Sequence, residues 1–588
     1  MFEVVITTRK SGGNWKKCVV FRAGTVAFFL WAQGIGSVFG GELDYWKNLL
    51  HYHGDRSQVK SVEFFLHERG AYDYTAELEK TISLLNSENG RKIACNYPAR
   101  YLWIRDQGLV TDKYNLDTCS ELSEFVNDFQ KDTLSIVFAS EHIDSPSSAF
   151  GHILLVFRDR DKPLLVADTV HFSAETPDDP FLKYAYKGLF GGYKGYFYRT
   201  PFYIIEQNYA GIEQRSLNFF QLDLPRDKIK KLIYHLYELR KARYDYYFIQ
   251  ENCAFQIARL LEIAYGEHSS DYLDSAYVLP IDVVKFHRHR VVEEFAIEPT
   301  LFRAQRLLQR MTAGEKKSLK SVKRGDGSGD YSLLSDRVKE YLHIEREYLF
   351  RRYRKVTGDY DKVARLKFKN ELPPHEVIDP DKVDNRNLLG FGRQRIGVDT
   401  LTTLRYRFAG KDIYDNQLDW LNESTLIFFD LSLAGSENME VYVQKLDLLH
   451  ARSMLSRSMI LSTPSWSFYL GLNRENSEGD LAANAAFGLG RGFGGRRLGA
   501  DFILEVGIQD DQGDGPLYAK PRGELIYYLH RNVKIGAMAM KKFGTSGSYG
   551  ENELFISNFF GKVLIIARLV VPDSPDKRSL AISLNVPL

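Results

Sequence analysis

Asp245–Glu262, DYYFIQENCAFQIARLLE, decides how the first half of the chain reads. Aromatic and apolar residues Tyr246–Ile249 lead into it. Asn252 is a good helix N-cap, and Ala254, Ile257, Leu261 and Ala264 then recur at helical spacing, with Gly266 as the stop. The pattern predicts a helix with one buried face and Cys253 on its first turn. There the unpaired backbone N–H groups and the positive end of the helix dipole stabilise a thiolate. A nucleophilic cysteine also needs a base.

The candidate base is His152, in SSAFGHILLVFRD. Ile153–Phe157 is a short apolar run between Gly151 and the charged turn Asp159–Lys162, which predicts a buried strand starting at His152. A second strand, Leu164–Phe172, is expected to return antiparallel, bringing His171 beside His152 as the residue that orients its imidazole. Asn252 and Ser148 are the candidate substrate or oxyanion contacts. Taken singly, each residue has a plainer reading. A cysteine after asparagine packs as a small hydrophobe, and a histidine at a strand start is a polar edge residue. The order strand-His, strand, helix-Cys is what points to nucleophilic catalysis.

GHILLVF, followed by ENCAFQIARLLE with Cys253 101 residues after His152, resembles the Lnb N-terminal periplasmic domain family of bacterial envelope proteins. That family is named after a lipoprotein N-acyltransferase. More distantly, His before Cys is similar to the circularly permuted papain-like enzymes of NlpC and lecithin:retinol acyltransferase type. CNYPARYLWI (Cys95–Ile104), SPSSAFGH (Ser145–His152), KGLFGGYKGYF (Lys187–Phe197) and YVLPIDVVK (Tyr277–Lys285) extend the resemblance over roughly residues 90–290. His171 departs from it by standing where many relatives carry Asn. The resemblance implies a lipid or lipoprotein acyl donor.

Residues 1–40 read as a secretory signal. Arg9, Lys10, Lys16 and Lys17 precede the apolar run Ala23–Ala32, which is far short of the roughly 20 residues a membrane helix needs. Cys18, next to Lys16 and Lys17, is not in a lipid-attachment context. Export places the chain in an oxidising compartment. If Cys253 is the nucleophile, Cys95 and Cys119 are left as a natural disulfide. A net charge of +2 gives no electrostatic case for nucleic acid. The close pairs His51/His53 and His287/His289 lack further ligands at metal-site spacing and read as solvent-exposed. No cofactor is called for.

A chain of 588 residues is too long for one core. Residues 41–130 read as a helical leader, with helices at Asp44–Tyr52, Val59–Glu68 and Thr75–Leu85. Residues 131–295 are the expected catalytic domain, in which Leu134–Ala139 is a strand and Pro225–Lys241 an amphipathic helix. The glycine- and aromatic-rich Lys187–Phe202 reads there as a lid or lipid-contacting loop. Residues 296–389 read as a charged helical region, with helices at Leu301–Met311 and Ser335–Lys355 and a loop at Lys316–Asp330. Residues 390–588 show recurrent segments of alternating polarity, among them Thr425–Leu433, Asp501–Gly507 and Val563–Val570. They predict 10–12 antiparallel strands, either an outer-membrane barrel or a soluble β domain. The C-terminal Val586-Pro587-Leu588 lacks the aromatic common at the end of such barrels.

The expected fold is therefore α+β: a helical leader, a permuted papain-like domain, and an antiparallel β-barrel-like domain. The expected protein is exported to the periplasm or outer membrane of a Gram-negative bacterium and associates with membrane. The expected activity is thiol acyl transfer or hydrolysis on lipid, lipoprotein or cell-wall substrates. A papain-like cell-wall peptidase is the first alternative. A non-enzymatic envelope protein with a vestigial Cys-His pair is the second.

Overall fold

The computed structural model describes residues 6–11, 14–19 and 40–587, apart from 142–149, 178, 180, 249, 267–276, 325–330, 354–365, 370–371, 383–386, 398, 418–422, 436–440, 455–463, 475–480, 495–496, 511–516, 545–546 and 575–576. An N-terminal hairpin pairs β1 (Ile6–Ser11) with β2 (Asn14–Val19). The apolar run Ala23–Ala32 lies outside the described residues.

The leader holds α1 (Gly40–Leu49), the short ladder β3 (Tyr52–His53) and β4 (Arg56–Ser57), then α2 (Tyr74–Leu85), α3 (Gly90–Asn96), α4 (Pro98–Asp106) and α5 (Ser120–Asp128). The expected helix at Val59–Glu68 is instead a single 3₁₀ turn, Val62–Phe64. The buried Glu77 carboxylate accepts the backbone N–H groups of Leu66 (2.9 Å) and His67 (2.7 Å), which a helix would have paired internally. Cys95 on α3 and Cys119, the residue before α5, form the disulfide. Arg100 on α4 is fully buried between Glu77 (3.1 Å) and Glu238 (3.4 Å). His51 is also fully buried, contrary to the exposed reading, with its Nε2 3.0 Å from His235 Nε2. His287 is likewise buried, while His53 and His289 are exposed. The His51–His235 pair lies against the Phe197 and Tyr244 rings, partners that sequence spacing does not reveal.

The next region is an antiparallel sheet of seven strands among the described residues. In chain order it runs β5 (Thr133–Ala139), β6 (His152–Arg158), β7 (Asp168–Glu175), α6 (Phe181–Phe190), β8 (Tyr193–Pro201), α7 (Phe202–Glu206), β9 (Leu217–Leu222), α8 (Arg226–Glu238), β10 (Tyr244–Tyr246), α9 (Cys253–Tyr265), α10 (Pro280–His287) and β11 (Val291–Ile297). The spatial order is β10-β8-β7-β6-β5-β9-β11. Alternation along β6 sends Ile153, Leu155 and Phe157 into the core that α8 and α9 cover, and Leu154 and Val156 into a second core with Phe202 and Phe219. Leu164–Val166, expected in the second strand, is a 3₁₀ turn after Pro163. Lys187–Phe202 is not a lid: Tyr193–Pro201 is a strand, paired along its length with β7 and at Tyr193–Gly195 with β10. Its Gly195 reflects close packing, since a Cβ there would stand 2.4 Å from the Phe172 ring.

Three helices follow, α11 (Thr300–Arg310), α12 (Ala313–Arg324) and α13 (Asp336–Tyr353). Most of the expected loop Lys316–Asp330 is thus helix. A capping box starts it, with Thr312 N donating to Glu315 Oε2 (2.7 Å) and Glu315 N donating to Thr312 Oγ1 (3.2 Å).

The remainder closes into an antiparallel barrel of twelve strands: β12 (Leu388–Ile396), β13 (Asp399–Lys411), β14 (Ser424–Gly435), β15 (Val441–Ser453), β16 (Ser465–Arg474), β17 (Leu481–Gly494), β18 (Leu498–Gln509), β19 (Leu517–His530), β20 (Val533–Gly544), β21 (Gly547–Phe560), β22 (Val563–Pro572) and β23 (Ser579–Pro587). β12 pairs with β23 from Leu388↔Pro587 to Ile396↔Ser579, so no sheet edge is left open. The alternation is inverted relative to a water-soluble protein. On β18, Phe502, Leu504, Val506 and Ile508 are exposed to the outside at 48–55%, while Glu505 and Gln509 are buried inward. The interior holds charge, as where Arg452 pairs with Asp501 (2.7 Å) and Glu524.

The sheet domain is seated on the outer wall of this barrel. Thr425 and Ile427 line the lumen, so their neighbours Leu426 and Phe428 face outward. Leu426 and Ala451 belong to the same core as Cys253. Phe150 packs on Phe428 (ring centroids 5.4 Å) and Tyr277 on Phe408 (5.1 Å). Lys411 pairs with Glu141 across the junction.

Candidate active site

Cys253 is the first residue of α9. Asn252 has extended backbone, and its Oδ1 accepts from Ala254 N (2.9 Å) and Phe255 N (3.1 Å), while its Nδ2 donates to Val278 O (3.0 Å). The amide thus starts the helix and ties it to the segment before α10. Gly266, at φ +74°, ends the helix with its N–H on Glu262 O (2.8 Å).

The thiol is 2% exposed and lies against β6. Burial pushes it up to about 11. The Ile153 and Ala254 N–H groups, the Arg215 guanidinium and the Tyr246 hydroxyl act in the other direction. The backbone N–H next to His152 therefore reaches the sulfur.

The imidazole itself does not. His152 shares its face of β6 with Leu154 and Val156, opposite the face that carries Cys253. Its ring meets His171 (centroids 6.3 Å) and Tyr209 (5.9 Å). Burial, then the His171 and Arg215 charges, hold it well below the ordinary histidine value. Its Nε2 is buried with no hydrogen-bond partner among the described residues. Gly151 makes this placement feasible. It sits at φ +93°, and a Cβ there would stand 2.6 Å from the Phe138 ring and 2.9 Å from Ala139 O.

His171 lies opposite Leu154 on the neighbouring strand, two residues along from His152, and stacks on Tyr198 (5.6 Å). Burial lowers it to about 4. Ser148 falls outside the described residues. The structure thus gathers Cys253, His152 and His171 around one strand, with the strand's backbone between the sulfur and the rings.

Three neighbours escaped sequence reading. Tyr246 lies inside DYYFIQENC and reads there only as apolar lead-in. Tyr209 and Arg215 come from the segment before β9, which shows no local pattern. Arg215 is fully buried, donating to Ser140 O (2.6 Å) and Ala139 O (3.1 Å), and its guanidinium lies over Tyr209 (4.6 Å). With thiol and imidazole both neutral near pH 7, the arrangement suits proton transfer to a base at the moment of attack rather than a standing thiolate–imidazolium pair.

These features define a periplasmic envelope protein carrying an outer-membrane-like β-barrel. Residues 121–313 match the model of the Lnb N-terminal periplasmic domain family. Residues 42–107 and 377–537 match two domains of unknown function, DUF7843 and DUF7840. No curated protein sequence matches the chain. Among solved structures it is similar to the KdgM porin in complex with disordered oligogalacturonate, at 11% identity and a TM-score of 0.23, covering 34% of this chain and 99% of that one. The NanC porin gives 9%, 0.24, 34% and 98%. OmpT (in-vitro folded), an outer membrane protein of Vibrio cholerae, gives 6%, 0.18, 34% and 96%. The protein belongs to the periplasm or outer membrane of a Gram-negative bacterium, as its periplasmic domain family and inverted barrel alternation require.

Proposed function

We propose that the protein is a cell-envelope thiol acyltransferase or hydrolase of permuted papain-like arrangement, acting on lipid or lipoprotein acyl groups and held in the outer membrane by its barrel. One observation carries the reading. A thiol at a helix start, beside the Ile153 and Ala254 N–H groups and the Tyr246 hydroxyl, sits in a domain seated on the barrel wall. In this mechanism the Cys253 proton passes, through a water around the end of β6 where His152 is the first residue, to the unpartnered Nε2 of His152. The sulfur attacks an ester or amide carbonyl. The alcohol or amine leaves with a proton returned by His152, and a thioester remains on Cys253. An amine or water then attacks it and regenerates the thiol. The Cys253 backbone N–H at the helix start contributes to holding the oxyanion, and His171 orients His152.

The depth of the thiol and the intervening strand favour a second reading, a structural cysteine in a non-enzymatic envelope protein. Intact-mass spectrometry separates the two. Wild type and Cys253→Ala are isolated from native membranes and incubated with phospholipid or lipopeptide. A hydroxylamine-labile fatty-acyl increment found only with Cys253 is expected. A thiol that holds no adduct and resists alkylation supports the structural reading. A reactive thiol that never carries a lipid acyl group supports a peptidase.

A further inference from the structure

We infer that the barrel is not a diffusion pore: the chain between β13 and β14 turns inward at residues 412–417 and plugs the lumen at the end facing the sheet domain. The segment leaves β13, the second strand of the barrel, yet its partners lie on β19 to β22 across the lumen. Tyr414 donates its hydroxyl to Glu553 on β21 (2.6 Å), packs edge-on against Phe555 (5.0 Å) and accepts from Arg568 on β22 (3.4 Å). Asp415 O accepts from Lys534 on β20 (3.0 Å), and the Gln417 N–H donates to the Tyr528 hydroxyl on β19 (2.9 Å). Ile413 packs against Met454, Ile526 and Tyr528.

The near end of the segment is tied as firmly. Asp412 pairs with Arg405 (2.7 Å) and Arg407 (3.2 Å), and Arg407 also pairs with Asp415 (2.8 Å). Asp412, Asp415 and Gln417 are all buried, although the stretch joins two strands at a barrel end, where a connecting turn ordinarily faces solvent. Glu553 lies about midway along β21, so Tyr414 reaches well into the lumen rather than across its rim. The cavity of about 590 Å³ that remains has Asp412, Ile413 and Tyr414 in its wall. A segment with this many polar partners inside the wall is a fixed part of the interior.

The plug also has a handle. Lys411, one residue before it, is the residue that pairs with Glu141 of the sheet domain. The plug is therefore fastened on one side to the far wall and on the other to the strand-end that leads toward His152.

The inference rests on the barrel spanning a membrane, which the experiment checks separately. Full-length protein is reconstituted into vesicles, and flotation and heat-dependent gel migration establish that each variant is inserted and folded. Ion conductance is then recorded across planar bilayers for wild type, for Tyr414→Ala/Gln417→Ala, and for a variant with 412–417 replaced by a Gly/Ser linker of equal length. Silent wild type with steady conductance steps in the variants is expected, larger in the linker variant. Steady wild-type conductance equal to that of the linker variant overturns the plug. Silence of all three, once inserted, also overturns it, because something other than this segment then closes the lumen. Failure to float with vesicles refutes the membrane reading instead.

Discussion

The sheet domain and the barrel use the same two-residue alternation and point it in opposite directions. On β6 and β5 both faces of the strand are buried and apolar, and charge is confined to places such as Arg100, Glu77 and Glu238, where every ion has a partner. On β18 and β23 the apolar residues face out, and the ions line the inside. Strand chemistry alone does not fix what a face touches; the solvent beyond the face does. Two regions of one chain, a few ångströms apart at Phe150 and Phe428, are folded for two different solvents.

The largest expected effect tests the domain side of that contrast. Arg100→Ala strands two buried carboxylates and is expected to cost about 3–5 kcal/mol. Urea unfolding read by fluorescence of the stacked Trp46–Trp103 pair should shift accordingly, with barrel migration on gels unchanged. Loss of both together would show one cooperative unit rather than two. Next, Leu504→Arg places a charge on the outer face of β18. In lipid it is expected to cost about 2–4 kcal/mol, read as the folded fraction in vesicles. On a soluble barrel the same exposed position would tolerate the change within about 0.5 kcal/mol, which would erase the contrast.

Acid sharpens it further. Burial lowers His51, His152, His171 and His235 in the folded domain, so the unfolded chain binds more protons below pH 6.5. The stability these groups contribute is full above pH 6.5 and is lost as pH falls toward about 4, where His171 takes its proton. The expected slope is on the order of 1.4 kcal/mol per pH unit for each such histidine, measured by urea midpoints across that window. A flat profile would mean that these rings are wetter than their packing implies. The smallest effect is local. Asn252→Ala removes the cap of α9 and is expected to cost about 1 kcal/mol in the same unfolding measurement, while raising the rate of Cys253 alkylation as the helix start frays.

Sequence reading succeeded where the signal was local. Asn252, Cys253 and Gly266 mark both ends of α9, and alternating segments after residue 390 announced an antiparallel β domain, with Thr425–Leu433 and Val563–Val570 within two residues of the observed strands at both ends. It failed where the deciding partner is distant. Val59–Glu68 is held out of a helix by Glu77, and His51 is buried by His235. Gly195 serves the Phe172 ring rather than a flexible loop. The face on which His152 stands relative to Cys253 depends on which side of the sheet α9 covers, and nothing within either motif encodes that. Thr312 and Glu315 were a legible helix start that the charged composition around them concealed.

The seat of the domain on the barrel wall also sets an order of events in the life of the chain. Phe150, two residues from His152, and Tyr277, next to the Val278 carbonyl that steadies Asn252, each rest on rings supplied by barrel strands. Those rings take their places only when the barrel has closed. Until then the surroundings of Cys253 are unfinished, so closure of the barrel and completion of the thiol's environment are one event.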